Sequence, residues 1–123
     1  MKANELMIGD WVYMRLKSKE KYYTERVFSI SDAEFLDYIP IPLTNDILNK
    51  NGFEEFGAFG MCRLKVESEQ KTICANGTYI EVYSNSNHES MLRLHSTHFT
   101  VHELQHALRL CGLNELADNF KVS

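Results

Sequence analysis

The chain has 123 residues, of which 44% are hydrophobic and 24% are charged. Both fractions are typical of globular proteins and argue against a disordered or fibrous class. A chain of this length is expected to form one domain, residues 1–123, which can bury enough surface to fold without a disulfide or a metal. Thirteen Lys and Arg against seventeen Asp and Glu give a net charge of −4, which disfavours nucleic-acid binding through phosphate contacts.

The apolar runs and the cysteines indicate a cytoplasmic protein. Every apolar run in the sequence is far shorter than the roughly 20 residues that cross a bilayer. Glu5 and Asp10 interrupt the N-terminal stretch in which a signal peptide would need an apolar core. Cys62, Cys74 and Cys111 form no Cys-x-x-Cys pair, and three cysteines leave one unpaired in any disulfide scheme. We therefore expect reduced thiols and no membrane contact.

Strand signals dominate the first 40 residues. Gly9 and Asp10 predict a turn, and residues 11–16 (WVYMRL) alternate in the two-residue period of a strand. Residues 22–30 and 33–39 are rich in the β-branched and aromatic residues that favour strands. The basic stretch RLKSKEK between the first two strands is interpreted as a solvated hairpin tip. These segments predict a short antiparallel meander.

A short helix is predicted next, in PLTNDILNKNGF. The Thr44 hydroxyl can cap the first turn, and Leu43 before the cap can pack against Leu48. Gly52 can adopt the positive φ that commonly ends a helix. These signals predict a helix over residues 45–50.

The second half of the chain has a further set of strand signals. Strands are predicted at residues 61–66, 71–75, 78–83 and 91–95. Asn76-Gly77 between two of them is a strong signal for a two-residue hairpin. The polar segment SNSNHES is predicted to be a loop.

The last predicted element is a helix over residues 101–111. Thr100 and Glu103 have the spacing of a capping box, and Gly112 followed by Leu113 has the pattern of a helix end. Winding the segment at about 100° per residue gives one apolar face. That face consists of Val101, Leu104, Ala107, Leu108 and Cys111.

This helix contains the pentapeptide HELQH, whose His-Glu-x-x-His spacing occurs on the zinc-binding helix of many hydrolases. Such a site needs His102 and His106 directed into a cleft with a third ligand. We expect both histidines to point toward solvent instead. The positions that hold glycine and histidine in metzincins are Arg109 and Gly112 here. We therefore predict that Glu103 caps the helix, and that no metal or other cofactor is bound. A zinc-dependent hydrolase that uses His102 and His106 is the alternative.

Aromatic residues provide the remaining candidate sites. Trp11 and Tyr13 can form an aromatic patch on a sheet, and Phe56 and Phe59 lie in a glycine-containing stretch, NGFEEFGAFG, that can form a binding loop. Cross-strand packing and burial beneath the loop are the alternative interpretations. No Gly-x-Ser-x-Gly elbow and no phosphate-binding loop occurs in the sequence. We therefore predict no catalytic residues.

Two resemblances bear on these predictions. The segment ELMIGDWVY, with RVFSI downstream, resembles the opening hairpin of small Tudor- or KOW-like barrels. The segments MKANELMIGDWV, IPIPLTNDILNKNGF and TVHELQHALRLCGLNELAD together are similar to a group of short uncharacterised proteins from Bacteroides-type bacteria and their prophages. The second resemblance implies an origin in a phage or mobile element and implies no activity.

The sequence thus predicts an α+β protein. We expect an antiparallel strand meander of partial-barrel character, a short central helix, and a C-terminal helix packed on the sheet. The predicted function is a non-enzymatic interaction module with a protein partner that the sequence does not identify. The sequence also leaves the oligomeric state open.

Overall fold

A computed structural model describes residues 11–16, 23–26, 36–57 and 60–122. Up to residue 39 the description concerns the backbone alone. The described residues form two antiparallel sheets, three α-helices and one short 3-10 helix (Glu67–Glu69), which confirms the α+β class. None of the helices in these ranges is long and apolar enough to cross a membrane.

The first sheet has three strands: β1 (Trp11–Leu16), β2 (Tyr23–Arg26) and β3 (Leu36–Pro40). Its strand order is β2-β1-β3, and both pairings are antiparallel. The predicted bounds of β1 are confirmed, and the described parts of β2 and β3 lie where strands were predicted, with β3 ending one residue later. Arg15 and Leu16 of the predicted basic hairpin tip belong to β1, and residues 17–21 of it lie outside the described residues.

The second sheet is an open antiparallel meander of five strands. They are β4 (Glu54–Phe56), β5 (Met61–Val66), β6 (Lys71–Ala75), β7 (Tyr79–Ser84) and β8 (Ser90–His95). Their spatial order is the same as their order along the chain. The three-residue strand β4 was not predicted, because its EEF segment lacks strand-forming periodicity and pairs only through its neighbour β5.

The hairpin between β6 and β7 is confirmed, although its turn lies one residue further along than predicted. Ala75 is opposite Ile80, and the Asn76 N–H donates to the Tyr79 carbonyl at 2.9 Å. The loop residues are therefore Gly77 and Thr78. Asn76 stabilises the loop from its edge, because its Oδ1 accepts the Thr78 N–H at 2.8 Å.

Helix α1 (Asn45–Lys50) has the predicted bounds and caps. The Thr44 hydroxyl accepts the Ile47 N–H at 3.3 Å, and Gly52 has φ 87° in the turn after the helix. Both Leu43 and Leu48 are buried, as a hydrophobic staple requires.

Helix α2 (Val101–Leu110) is followed by a third helix, α3 (Asn114–Asp118), that was not predicted. Gly112 has φ 78°, and the Leu113 N–H donates to the Leu108 carbonyl at 2.8 Å. This is the Schellman arrangement, which reverses the chain direction so that α3 packs on α2. An ion pair between Arg109 and Asp118 also joins the two helices, at 3.5 Å.

The core lies on the side of the five-stranded sheet that faces α2. All five residues of the predicted apolar face of α2 are buried, which confirms that face. A short antiparallel bridge between Pro42 and Thr100 joins the segment before α1 to the start of α2. The sheet contributes the alternate residues Cys62, Ile73, Ala75, Ile80 and Val82 to the core.

The C-terminal segment also belongs to the core. Phe120 is fully buried. The Asn51 side chain makes two hydrogen bonds to the backbone of Lys121, the residue after Phe120. Its Oδ1 accepts the Lys121 N–H and its Nδ2 donates to the Lys121 carbonyl, each at 2.7 Å. Asn51 therefore fixes the tail against the end of α1.

Candidate interaction surface

The face of the five-stranded sheet that points away from α2 is called the open face here. Strand alternation places one set of side chains on this face. Its members are Glu54, Phe56, Met61, Arg63, Lys65, Thr72, Cys74, Tyr79, Glu81, Tyr83, Arg93 and His95. Most of these side chains are exposed or half-buried, and only Thr72 and Cys74 are buried. The open face is thus a polar and aromatic surface with two small residues near its centre.

A row of alternating charges crosses the open face from one edge strand to the other. The strand registers place Glu54 opposite Arg63, Arg63 opposite Cys74, Cys74 opposite Glu81, and Glu81 opposite Arg93. Directly opposite residues of antiparallel strands have side chains close enough to interact. The row therefore places cations and carboxylates side by side around a central thiol.

At the β4–β5 end of the row, the Arg63 guanidinium lies over an aromatic ring. Its guanidinium carbon lies 4.7 Å from the centre of the Phe56 ring. Phe56 is 37% exposed, so the ring and the cation both remain accessible. Such cation–π contacts contribute about 0.5 to 1 kcal/mol at exposed sites, and this one restricts both side chains.

At the β7–β8 end of the row, four side chains form a connected group. The Tyr79 hydroxyl donates to Glu81 at 2.9 Å, and Arg93 donates to the other oxygen of the same carboxylate through Nε at 3.3 Å and Nη2 at 3.1 Å. The Tyr79 ring meets the His95 ring edge to face, with 4.9 Å between the ring centres. Each of these side chains is therefore held by a neighbour on the same face.

The ionisation of the row follows from these contacts. Burial raises the pKa of the Cys74 thiol, and the nearby Glu81 carboxylate raises it further. Burial also acts to raise the pKa of Glu81, but hydrogen bonds from Ser90, Tyr79 and Arg93 outweigh it and hold that pKa below its usual value. Glu81 is thus a carboxylate at neutral pH, while the raised pKa of Cys74 favours the neutral thiol over the thiolate, which is the nucleophilic form.

The aromatic candidates from the sequence have different outcomes. Phe56 is exposed on the open face, whereas Phe53 of the same stretch is buried in the core. Phe59 lies outside the described residues. Trp11 and Tyr13 belong to β1, for which only the backbone is described. The structure therefore brings one of the four predicted binding residues, Phe56, onto the open face.

The prediction that both histidines of HELQH point toward solvent is wrong. His102 is only 6% exposed, His106 is half-buried, and their rings meet edge to face with 5.5 Å between centres. The buried arc of α2 is wider than its apolar residues indicate. The neighbouring Gln105 is fully buried too, and its Nε2 donates to the Ala117 carbonyl at 3.0 Å. Packing from α3 thus covers one flank of the helix.

Glu103 has the predicted capping role. The Thr100 N–H donates to Glu103 Oε1 at 3.0 Å, and the Glu103 N–H donates to the Thr100 hydroxyl at 3.4 Å. The same hydroxyl lies 3.2 Å from His102 Nδ1. Within the described ranges, no group of three or more His, Cys, Asp or Glu residues is placed to hold a metal ion.

The capping box gives a first testable prediction. Thr100→Ala should lower the free energy of unfolding by about 1 kcal/mol more than Glu103→Gln, because glutamine can still accept the Thr100 N–H. Denaturant melts of the two variants measure the difference. A larger loss from Glu103→Gln would contradict the capping role and would favour a role for the Glu103 charge elsewhere.

A separate cavity of about 340 Å³ lies on the helix side of the sheet. Its apolar floor includes Val66, Leu113 and Leu116, and exposed polar side chains such as Glu69 and Glu115 form its rim. The volume is within the range of small-molecule sites. The cavity offers mainly apolar contact, whereas the open face combines aromatic and charged groups that are already held in place.

The open face was not recognised in the sequence, although its components were. In MCRLKV and TYIEVY, strand alternation places Arg63 on the opposite face of the sheet from Cys62, and Glu81 on the opposite face from Val82. This alternation was the signal in the sequence from which the face could have been found. The row of charges depends on the registers of four strand pairs, which single-strand patterns do not determine.

Comparisons with known proteins do not assign the chain to a family: no family model, no curated protein and no solved structure matches it. The geometry of the open face is therefore the basis of the functional proposal.

Proposed function

We propose that the chain is a protein-interaction module that binds its partner through the open face. The observation that carries this proposal is that exposed aromatic and charged side chains of the face are held by one another. Phe56 is held by Arg63, and Tyr79, Glu81 and Arg93 form a connected group. Binding by such a surface orders few further side chains, and each side chain left free before binding would cost about 0.5 to 1.5 kcal/mol to immobilise.

The composition of the open face also supports an interface. Tyrosine and arginine are enriched among the residues that dominate binding energies, especially where they are surrounded by other contacts. Tyr79 and Arg93 occupy neighbouring strands, and Arg63 lies across Cys74 from Glu81. A partner with complementary charges can therefore contact two cationic positions at once.

The size of the open face indicates a modest interface. Strand spacings of about 4.8 Å and rises of about 3.3 Å per residue give a face roughly 24 Å by 20 Å, or about 480 Å² of projected area. A standard interface takes about 800 Å² from each partner. We therefore expect transient binding, or binding that extends beyond the face to a neighbouring edge.

Affinity capture tests this proposal. The resemblance to proteins of Bacteroides-type bacteria and their prophages makes such a bacterium the lysate of choice, and an origin in a phage or mobile element remains a prediction. A partner retained by the unmodified protein should be lost with Arg63→Ala and with Tyr79→Ala, each costing more than about 1 kcal/mol of binding energy. Quantitative mass spectrometry of the retained proteins measures the loss.

The matched control is Lys50→Ala, which removes an exposed cation from α1, on the helix side of the molecule. This variant should retain the partner as well as the unmodified protein does. Thermal melts of all three variants establish that each is folded. Equal retention by every variant, or equal loss with Lys50→Ala, would contradict binding through the open face.

The zinc-dependent hydrolase remains the alternative. His102 and His106 lie next to each other on α2, but Glu103, the general base in that hypothesis, accepts the Thr100 N–H in the capping box. Metal analysis of protein purified without chelators tests the alternative. Stoichiometric zinc that is lost on changing both histidines to alanine would support the hydrolase and contradict the proposal above.

A further inference from the structure

The two edges of the five-stranded sheet differ in a way that bears on binding. At one edge, β4 has only three residues, and short edge strands resist pairing with other chains. At the other edge, β8 has six residues, and no strand of the described chain pairs with its outer side. Both edge strands are exposed, at five of six residues in β8 and at all three residues in β4. The edge formed by β8 is thus the longer of the two accessible edges.

The hydrogen-bond phase of the β7–β8 ladder shows which backbone groups β8 presents. The Ser96 N–H donates to the Thr78 carbonyl at 3.1 Å, and the register continues with Tyr79 opposite His95. Hydrogen-bonded and non-hydrogen-bonded pairs alternate along an antiparallel ladder. The pair Tyr79 and His95 is therefore non-hydrogen-bonded, and so is the pair Glu81 and Arg93. The backbone N–H and C=O groups of His95 and Arg93 thus point away from β7.

An irregularity limits this edge at its other end. Val82 is opposite Leu92 and Tyr83 is opposite Ser90, so Met91 is an extra residue in β8. Such bulges interrupt the ladder. The regular part of the edge is residues 92–95. Within it, the backbone N–H and C=O groups of Arg93 and His95 point outward, and those of Leu92 and Leu94 point toward β7.

The side chains along residues 92–95 define the chemistry of a strand that could pair there. Arg93 and His95 lie on the open face. Leu94 is on the helix side and remains 37% exposed, and Met91 nearby is 50% exposed. An added strand would place one set of alternate side chains against the cation of Arg93 and the other set against Leu94.

We propose that β8 is a docking edge for an extended segment of the partner protein, in which acidic side chains alternate with apolar ones. The inference rests on the proposed function and specifies the partner segment. The acidic side chains lie opposite Arg93 and His95 on the open face, and the apolar ones cover Leu94. Main-chain hydrogen bonds to Arg93 and His95 give the affinity, as in other cases of strand addition.

A second copy of this chain fits the edge less well. Two-fold pairing of β8 with itself, centred on Arg93, would place two guanidinium groups directly opposite each other. Pairing centred on Leu94 would place each Arg93 opposite His95, which offers no carboxylate to that cation. Like charges that face each other across strands, as in the pairing centred on Arg93, are destabilising, so a partner strand with carboxylates opposite Arg93 fits the edge better.

Synthetic peptides of about six residues, the length of a typical strand, test the inference without a lysate. One fluorescent peptide alternates Glu and Val, and the matched peptide has Lys in place of each Glu. Fluorescence anisotropy should show tighter binding of the Glu/Val peptide. N-methylation of those Glu/Val amides that face β8 should abolish binding, because it removes the donors and places methyl groups at the edge.

Two protein variants locate the binding at β8. His95→Pro removes an outward N–H without removing a hydrogen bond to β7, and it should weaken Glu/Val binding about tenfold or more. Arg93→Gln should remove most of the preference for Glu/Val over Lys/Val, whereas the control Lys121→Gln should preserve it. Circular dichroism and thermal melts establish the fold of each variant.

Several results would overturn the inference. Equal binding of the N-methylated peptide, or no binding of the Glu/Val peptide at millimolar concentration, would exclude strand addition at β8. A dimer of the unmodified protein that His95→Pro dissociates, measured by sedimentation, would assign the edge to a second copy. These results are independent of the capture experiment, in which loss of the partner with Tyr79→Ala still tests the open face.

Discussion

Leu108→Ala is expected to lower the free energy of unfolding by about 2 to 5 kcal/mol. Leu108 is fully buried, and its carbonyl accepts the Leu113 N–H that ends α2. Removing its side chain leaves a cavity between α2 and the sheet that the surrounding residues fill only in part. Urea melts monitored by circular dichroism measure the change, provided that the slope of the transition stays the same.

The same helix offers a matched control of the same residue type. Leu110 is 78% exposed, so Leu110→Ala should change stability by less than about 0.5 kcal/mol. The higher helix propensity of alanine offsets part of any loss. Similar effects of the two substitutions would mean that α2 presents a different face to the sheet from the one described.

Phe120→Ala is expected to cost about 3 to 5 kcal/mol. Phe120 is fully buried, although it lies in the segment that follows the last helix. Its ring belongs to the hydrophobic core, so its removal leaves a large cavity there. Thermal unfolding followed by calorimetry measures the loss as a lower transition temperature.

Phe56→Ala is the control for this prediction. Phe56 has the same side chain, but it is 37% exposed on the open face. Its loss removes the contact with Arg63 and should cost about 1 kcal/mol. If Phe120→Ala were no more destabilising than Phe56→Ala, the tail would not be part of the core.

Much of the fold could be predicted from local signals. Helix α1 and the start of α2 have the predicted bounds because Thr44 and Thr100 cap them through hydroxyl contacts with the next turn. The strands β5 and β6 also match their predicted bounds. Such signals concern residues close in sequence, whose interactions do not depend on the rest of the fold.

The features that were missed depend on contacts between distant parts of the chain. Helix α3 has no side-chain cap and forms where the turn at Gly112 brings it against α2. The burial of His102 could not be read from its polarity or from the apolar face of α2. For the same reason, the row from Glu54 to Arg93 became visible only when four registers were known.

The contact between Asn51 and Lys121 has a consequence for biosynthesis. The five strands of the second sheet pair with their neighbours along the chain, so the meander can form progressively as residues leave the ribosome. The Asn51 side chain, in contrast, can form its hydrogen bonds to Lys121 only after this residue, 70 positions later, has been synthesised. We therefore expect nascent chains that stop before Phe120 to contain a formed meander with an incomplete core. Such chains would expose apolar surface to chaperones until Phe120 is buried and Lys121 binds Asn51.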